Sequence, residues 1–217
     1  MVPTSILEQL AAKGADIGAI ADRLVEDAQQ IPTVIRALKE EKSSRKFAYE
    51  KVLRLVSEKR PELIYPYFDY FCSLLDHDNN FLKWGAIMTV ANLTAADAQN
   101  KFEALFPKYF APIQGPTMVT AANIIGSSVT IARAKPALTQ AVKDEILKVE
   151  KAKFLLKGTL SPECRNVAIG HAIDTFDKLF DQIADKSEVL RFVKRQLKNP
   201  RQPVVRKAEK FLRKHGA

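Results

Sequence analysis

The sequence predicts an all-α chain built from repeated helical hairpins, and three observations carry that expectation. Apolar residues recur at three- and four-residue spacing along the whole length, and no stretch alternates for long enough to make a strand. Prolines stand where helices would begin, and polar turn clusters stand where they would end. Similar segments return at intervals near 40 residues.

In chain order, the first two periodic stretches predict helices over residues 5–12 and 17–29. Pro32 opens a third over 32–41, and a fourth follows over 43–59. Pro61 precedes a helix over 62–77, which stops at the turn cluster Asp76-His77-Asp78-Asn79-Asn80. Helices over 79–95 and 98–113 come next, the second ending at Gln114-Gly115-Pro116. Pro116 opens a helix over 116–132 and Pro136 one over 137–153. The cluster Gly158-Thr159-Leu160-Ser161-Pro162 introduces a long helix over 162–183. A further helix over 186–198 is cut by Lys198-Asn199-Pro200-Arg201-Gln202-Pro203, and the last spans 202–214. Pro32, Pro61, Pro116, Pro136, Pro162 and Pro203 all stand where a helix would begin, a position at which a missing N–H costs nothing.

Every second helix carries a small residue in its first or second turn. Aligning the helices on Ala48, Ala86, Ala122, Ala168 and Ala208 gives intervals of 38, 36, 46 and 40 residues. The helices that precede two of these share a proline flanked by aromatics, Pro66 and Pro107, 41 residues apart, and a proline there kinks a helix. Cys164-Arg165-x-x-Ala168, Lys83 three before Ala86 and Arg45 three before Ala48 come close to a V-R-x-x-A signature. On these residues the chain resembles the HEAT-repeat family, from about residue 30 to 215. The last unit departs from the pattern because Arg206 lies two before Ala208, and the third has no basic residue at that place. The resemblance implies a right-handed α–α superhelix, an armadillo-like solenoid of about five hairpin repeats over 31–217, with residues 1–30 as a helical cap in one continuous domain.

Composition sets the outer bounds. The chain has 217 residues, 47% hydrophobic and 27% charged, which suits a globular protein with a sizeable core and neither a disordered nor a disulfide-stapled one. It has no uncharged apolar run of about 18 residues, and its start lacks a basic segment followed by a long apolar one, so the expectation is a cytoplasmic protein without membrane contact. Cys72 and Cys164 are expected to be buried thiols rather than a disulfide or zinc site. Phosphate loops, dinucleotide fingerprints, nucleophile elbows and H-E-x-x-H motifs are all missing. The three histidines are scattered: His77 sits in a turn, and His171 pairs at i,i+3 with Asp174. The expectation is a protein that is not an enzyme and needs no cofactor or metal.

Charge is concentrated at one end. The formal net charge is +9, and residues 185–217 hold 11 basic residues against Asp185, Glu188 and Glu209, which leaves the body nearly neutral. In the penultimate helix Arg191, Lys194, Arg195 and Lys198 form one stripe, and Arg201, Arg206, Lys207, Lys210, Arg213 and Lys214 continue it on the last. This patch suits phosphate or an acidic partner, and it equally suits the polar outer face that a terminal repeat needs. The central second helices have the opposite character, with no charge from Trp84 to Ala96 or from Phe110 to Ile131. Thr89 and Asn92, and Thr120, Asn123 and Ser127, fall on single faces and predict either a neutral partner groove or tight helix packing. Trp84, the only tryptophan, is the aromatic singled out as an anchor for that groove, although the middle-third aromatics as a group read as core.

The function that fits is a monomeric, non-enzymatic scaffold that binds a protein partner on its concave face. The alternative is nucleic-acid binding through the basic end, whose extreme form resembles the HEAT-like alkylpurine DNA glycosylases. The central inner helices, however, lack the carboxylate and cations which that resemblance implies.

Overall fold

A computed structural model describes residues 5–215, and these are helical apart from turns and one small hairpin. They divide into two compact units, Met1–Gln99 and Asn100–Ala217.

The first unit contains α1 (Ile6–Ala11), α2 (Ile17–Glu26), α3 (Ile31–Glu40), α4 (Lys46–Lys59), α5 (Pro61–Ile64), α6 (Phe68–Ser73) and α7 (Asn80–Leu93). Short polar side chains start several of these helices by accepting from N–H groups that have no partner in the first turn. Ser5 and Glu8 form a reciprocal capping box on α1. Asp16 accepts from Ala19 at 3.0 Å on α2, and Asn79 accepts from Phe81 at 3.0 Å on α7. The single helix expected over 62–77 is instead α5 and α6, each followed by a 3-10 turn, at Tyr65–Tyr67 and Leu74–Asp76. Pro66 sits at the first of these breaks, where its ring and missing N–H disrupt the helical ladder. α4 packs against both α2 and α7, burying Tyr49, Val52, Leu53 and Val56. Residues of the expected N-terminal cap, Ile20, Ala21 and Leu24, are buried in this unit.

The second unit contains α8 (Lys101–Phe110), α9 (Met118–Ala134), α10 (Thr139–Leu147), β1 (Leu155–Leu156), β2 (Thr159–Leu160), α11 (Pro162–Leu179), α12 (Ser187–Arg195) and α13 (Gln202–His215). Pro107 lies inside α8, which ends three residues later in a 3-10 turn. α11 packs against both α9 and α13. The α9–α11 seam is apolar, with Ile124, Ile125, Ile169, Ile173 and Phe176 buried, and the Thr175 hydroxyl donates to the Ile125 carbonyl at 3.0 Å. Gly170 of α11 faces Val204 and Lys207 of α13, where an added Cβ would make ordinary van der Waals contact at 3.5 Å or more. Each unit therefore stacks alternate helices side by side: α2, α4 and α7 in the first, and α9, α11 and α13 in the second.

The helix expected to reach residue 153 stops earlier, in a 3-10 turn at Lys148–Lys151, and a hairpin follows. Leu155 pairs with Leu160 and Leu156 with Thr159. Lys157 and Gly158 both take positive φ, 51° and 80°, as a two-residue hairpin turn requires. Among the described residues, no helix is long and apolar enough to cross a membrane.

Candidate functional site

The first unit exposes an aromatic cluster where α4 and α7 begin. Phe81, in the first turn of α7, is 65% exposed. Its ring stands edge-on to Phe47 of α4 and to Trp84 one turn along, with centroids 5.6 Å apart in each pair. Both neighbours are only half-buried. Lys46 Nζ lies 5.7 Å from the Phe47 ring, and Lys46, Lys51 and Lys83 make no ion pair among the described residues. An exposed large aromatic ring supported by two others is unusual on a surface, and it has the size and rigidity of an interface anchor.

The polar residues expected to line a groove mostly serve packing. Thr89 and Thr120 are buried. Asn92 is half-buried and donates to Ser57 of α4 at 3.0 Å, while Asn123 donates back to the Val119 carbonyl of its own helix at 2.9 Å. Ser127 hydrogen-bonds the fully buried Tyr109 hydroxyl. Of the six groove residues only Trp84 belongs to the aromatic cluster. Phe81 was missed because the apolar residues of α7 are spread around the helix rather than gathered on one side, so its pattern does not say which face is left uncovered.

A buried carboxyl lies directly behind this cluster. Glu50, one turn beyond Phe47 on α4, is 7% exposed and occupies the space where a side chain on Gly85 of α7 would sit. Its Oε1 lies 3.4 Å from Arg54 Nε, an ion-pair distance, yet neither atom makes a hydrogen bond. The Thr89 hydroxyl, one turn past Gly85, is also unpartnered. Burial raises the Glu50 carboxyl from 4.5 to about 7, and the Arg54 charge only partly opposes the rise. Farther along, Ser57 and Asn92 complete a narrow polar seam inside the α4–α7 contact.

The basic end separates into two populations. Arg195 grips Glu150 with two bonds of 2.8 and 2.7 Å, and Arg201 bonds Glu163 at 2.7 Å. Lys207 bonds Asp174 at 2.5 Å, and Lys214 bonds Asp177 at 2.9 Å. His215 also meets Asp177, at 2.7 Å, between the rings of Phe180 and Phe211. These contacts fasten α12 and α13 to the preceding elements. Burial pushes the Asp177 carboxyl up, but the hydrogen bonds from Lys214 and His215 outweigh it and hold the group below its ordinary value. Arg191, Lys194 and Lys198, and Arg206, Lys210 and Arg213, are exposed and make no ion pair among the described residues. Each trio is spaced by three or four residues, the first running from α12 into the 3-10 turn Gln196–Lys198 and the second along α13, so the expected stripe is two short rows.

The remaining candidates are weaker. An open cleft of about 530 Å³ is lined by Ser5, Ile6, Gln9, Arg23, Asp27 and Gln30 among others, but Arg23 already bonds Gln9 and Gln30 bonds Asp27. His77 accepts from the Asn79 N–H at 2.9 Å within its turn. His171 lies at the surface, and partial desolvation of its ring, followed by the Lys207 charge, pushes it below its ordinary value. Cys72 and Cys164, expected to be buried, are half-buried, and no disulfide joins them. Among the described residues no three His, Cys, Asp or Glu side chains are grouped to hold a metal. Comparison with protein-family models, curated proteins and solved structures finds no match to this chain.

Proposed function

We propose that this chain is a HEAT-like helical-repeat scaffold that binds a protein partner, with no chemistry of its own. Its anchor is the aromatic face formed by Phe47, Phe81 and Trp84. The observation that carries this reading is the exposure of Phe81 on top of two half-buried rings. A rigid aromatic platform gains contact area at little entropic cost and is the commonest kind of interface hot spot. The stacking of alternate helices within each unit supports the repeat reading, since such stacks bury neighbour against neighbour and leave a broad face for partners. Lys46 at the Phe47 ring, with Lys51 and Lys83 on the same two helices making no ion pair among the described residues, favours a partner with acidic residues around an apolar anchor.

Nucleic-acid binding is the second reading, supported by the six exposed cations of α12, the turn after it and α13 that make no ion pair among the described residues. It is weaker because four other cations of the same patch are held by carboxylates. The test is to purify a protein captured by the chain and titrate it against variants. Phe81→Ala should weaken the complex about thirtyfold, the loss typical of a hot spot. The triple change Arg206→Glu, Lys210→Glu, Arg213→Glu should leave affinity unchanged. The reverse pattern, or tight salt-dependent binding of labelled DNA or RNA by the wild-type chain, would move the function to the basic end.

A further inference from the structure

The hairpin of the second unit is the one place where the repeat rhythm is broken. The interval from Ala122 to Ala168 is 46 residues where its neighbours are 36 to 40, and β1 and β2 lie within that longer interval. Insertions into helical repeats concentrate on surfaces used for binding. The hairpin is held at its base, where Lys153 donates to the Gln114 carbonyl and Leu155 to the Pro116 carbonyl, both at 2.9 Å. Gly115 makes this approach possible, because its φ of 122° and lack of a side chain leave room for the Lys153 carbonyl.

Beyond that base the six residues 155–160 are all exposed. They include three large aliphatic side chains, Leu155 at 46%, Leu156 at 58% and Leu160 at 57%. Val119, three residues past Pro116, is a fourth exposed apolar side chain on the segment next to β1. The register places Leu155 and Leu160 on one face of the ribbon and Leu156 on the other, since neighbours along a strand point to opposite sides. A protein groove covers one face of such a ribbon; a lipid interface surrounds both. The flanking charge is positive, for Lys151, Lys153 and Lys157 are exposed and make no ion pair among the described residues. The nearest acids in sequence, Glu150 and Glu163, are already engaged by Arg195 and Arg201.

We infer that this hairpin is a peripheral membrane-binding element that sets its leucines into the headgroup boundary of an anionic lipid surface, with the three lysines against the lipid phosphates and carboxylates. Leucines on both faces supply the apolar contribution, and long lysine stems keep their charge in the polar layer while the hairpin tip enters. The lack of a spanning helix does not bear on such a mode. The inference stands apart from the aromatic face and does not depend on it.

The test is co-sedimentation of the full chain with phosphatidylcholine vesicles, with and without phosphatidylserine, across a range of salt. Wild type should sediment with the serine-containing vesicles at low salt and be released as salt rises. Leu156→Ser and Leu160→Ser should each reduce partitioning about tenfold, as withdrawing a large aliphatic group from an apolar phase does. Lys151→Glu, Lys153→Glu and Lys157→Glu should each reduce it about fivefold or more. These side chains are exposed, so circular dichroism should show unchanged helicity in every variant. Failure to sediment with anionic vesicles at low salt would overturn the inference. So would sedimentation that the leucine changes leave untouched, or retention on polyglutamate without retention on vesicles, which would assign the surface to an acidic protein.

Discussion

Replacing Glu50 with Gln should change how the stability of the first unit depends on pH, and the structure gives the size of the change. The carboxyl is buried against Gly85, one oxygen lacks any hydrogen bond, and burial lifts its pKa from 4.5 to about 7. Because the folded value lies above the unfolded one, the folded chain keeps the proton across that window after the unfolded chain has released it. Wild-type stability therefore falls as pH rises from 4.5 to about 7 and levels off above. A displacement of this size corresponds to about 3 kcal/mol. Glutamine has the same shape and cannot ionise, so the gain in stability on substitution should be about 3 kcal/mol larger at alkaline pH than near pH 4.5. Trp84 is the only tryptophan and neighbours Gly85, so its fluorescence during urea unfolding reports on this unit at each pH. A stability difference between wild type and Glu50→Gln that is the same at both ends of the window would refute the reasoning.

Other expectations follow from particular contacts. Thr175→Val removes the hydroxyl bonded to the Ile125 carbonyl inside the α9–α11 seam and should cost the second unit about 1 kcal/mol by chemical denaturation. Asp177→Asn weakens the junction with Lys214 and His215. The Asp177 pKa is lowered on folding, so its stabilising contribution is present above pH 3.8 and disappears as the pH falls through the folded value. Protection of the α13 amides, taken relative to their intrinsic exchange rates, should therefore fall more on acidification in wild type than in this variant. Phe81→Ala should shift stability by less than about 0.5 kcal/mol, because the ring is largely exposed, and a thermal melt that drops sharply would mean the ring is structural instead.

Much of the fold was legible in the sequence because helical periodicity and proline placement are local signals. Pro32, Pro61 and Pro162 stand in first turns as expected, and α7 and α11 fall within the helices expected over 79–95 and 162–183. What escaped was short or non-local. Two-residue strands are too brief to show a period, so residues 158–162 read as a turn and 154–157 as no element, although the 46-residue interval was a visible sign of an insertion. The basic end looked like one stripe because its neutralising partners, Glu150, Glu163, Asp174 and Asp177, lie 33 to 45 residues away in sequence. Glu50, between Lys46 and Lys51 on α4, carries no local sign of burial. The clue to its burial was a glycine in the middle of the facing helix, whose missing side chain makes the space it fills. Thr89 and Thr120 lay on the expected faces but were covered, since small polar residues at helical spacing allow close packing as readily as they line a groove.

The most direct test of the protein-binding account is hydrogen–deuterium exchange of the chain alone and in complex with a purified captured partner. The account predicts protection concentrated in residues 46–51 and 80–88, around Phe47, Phe81 and Trp84, with the outward rows of α12 and α13 unchanged. Protection confined to residues 191–213, with the aromatic face exchanging as in the free chain, would contradict it.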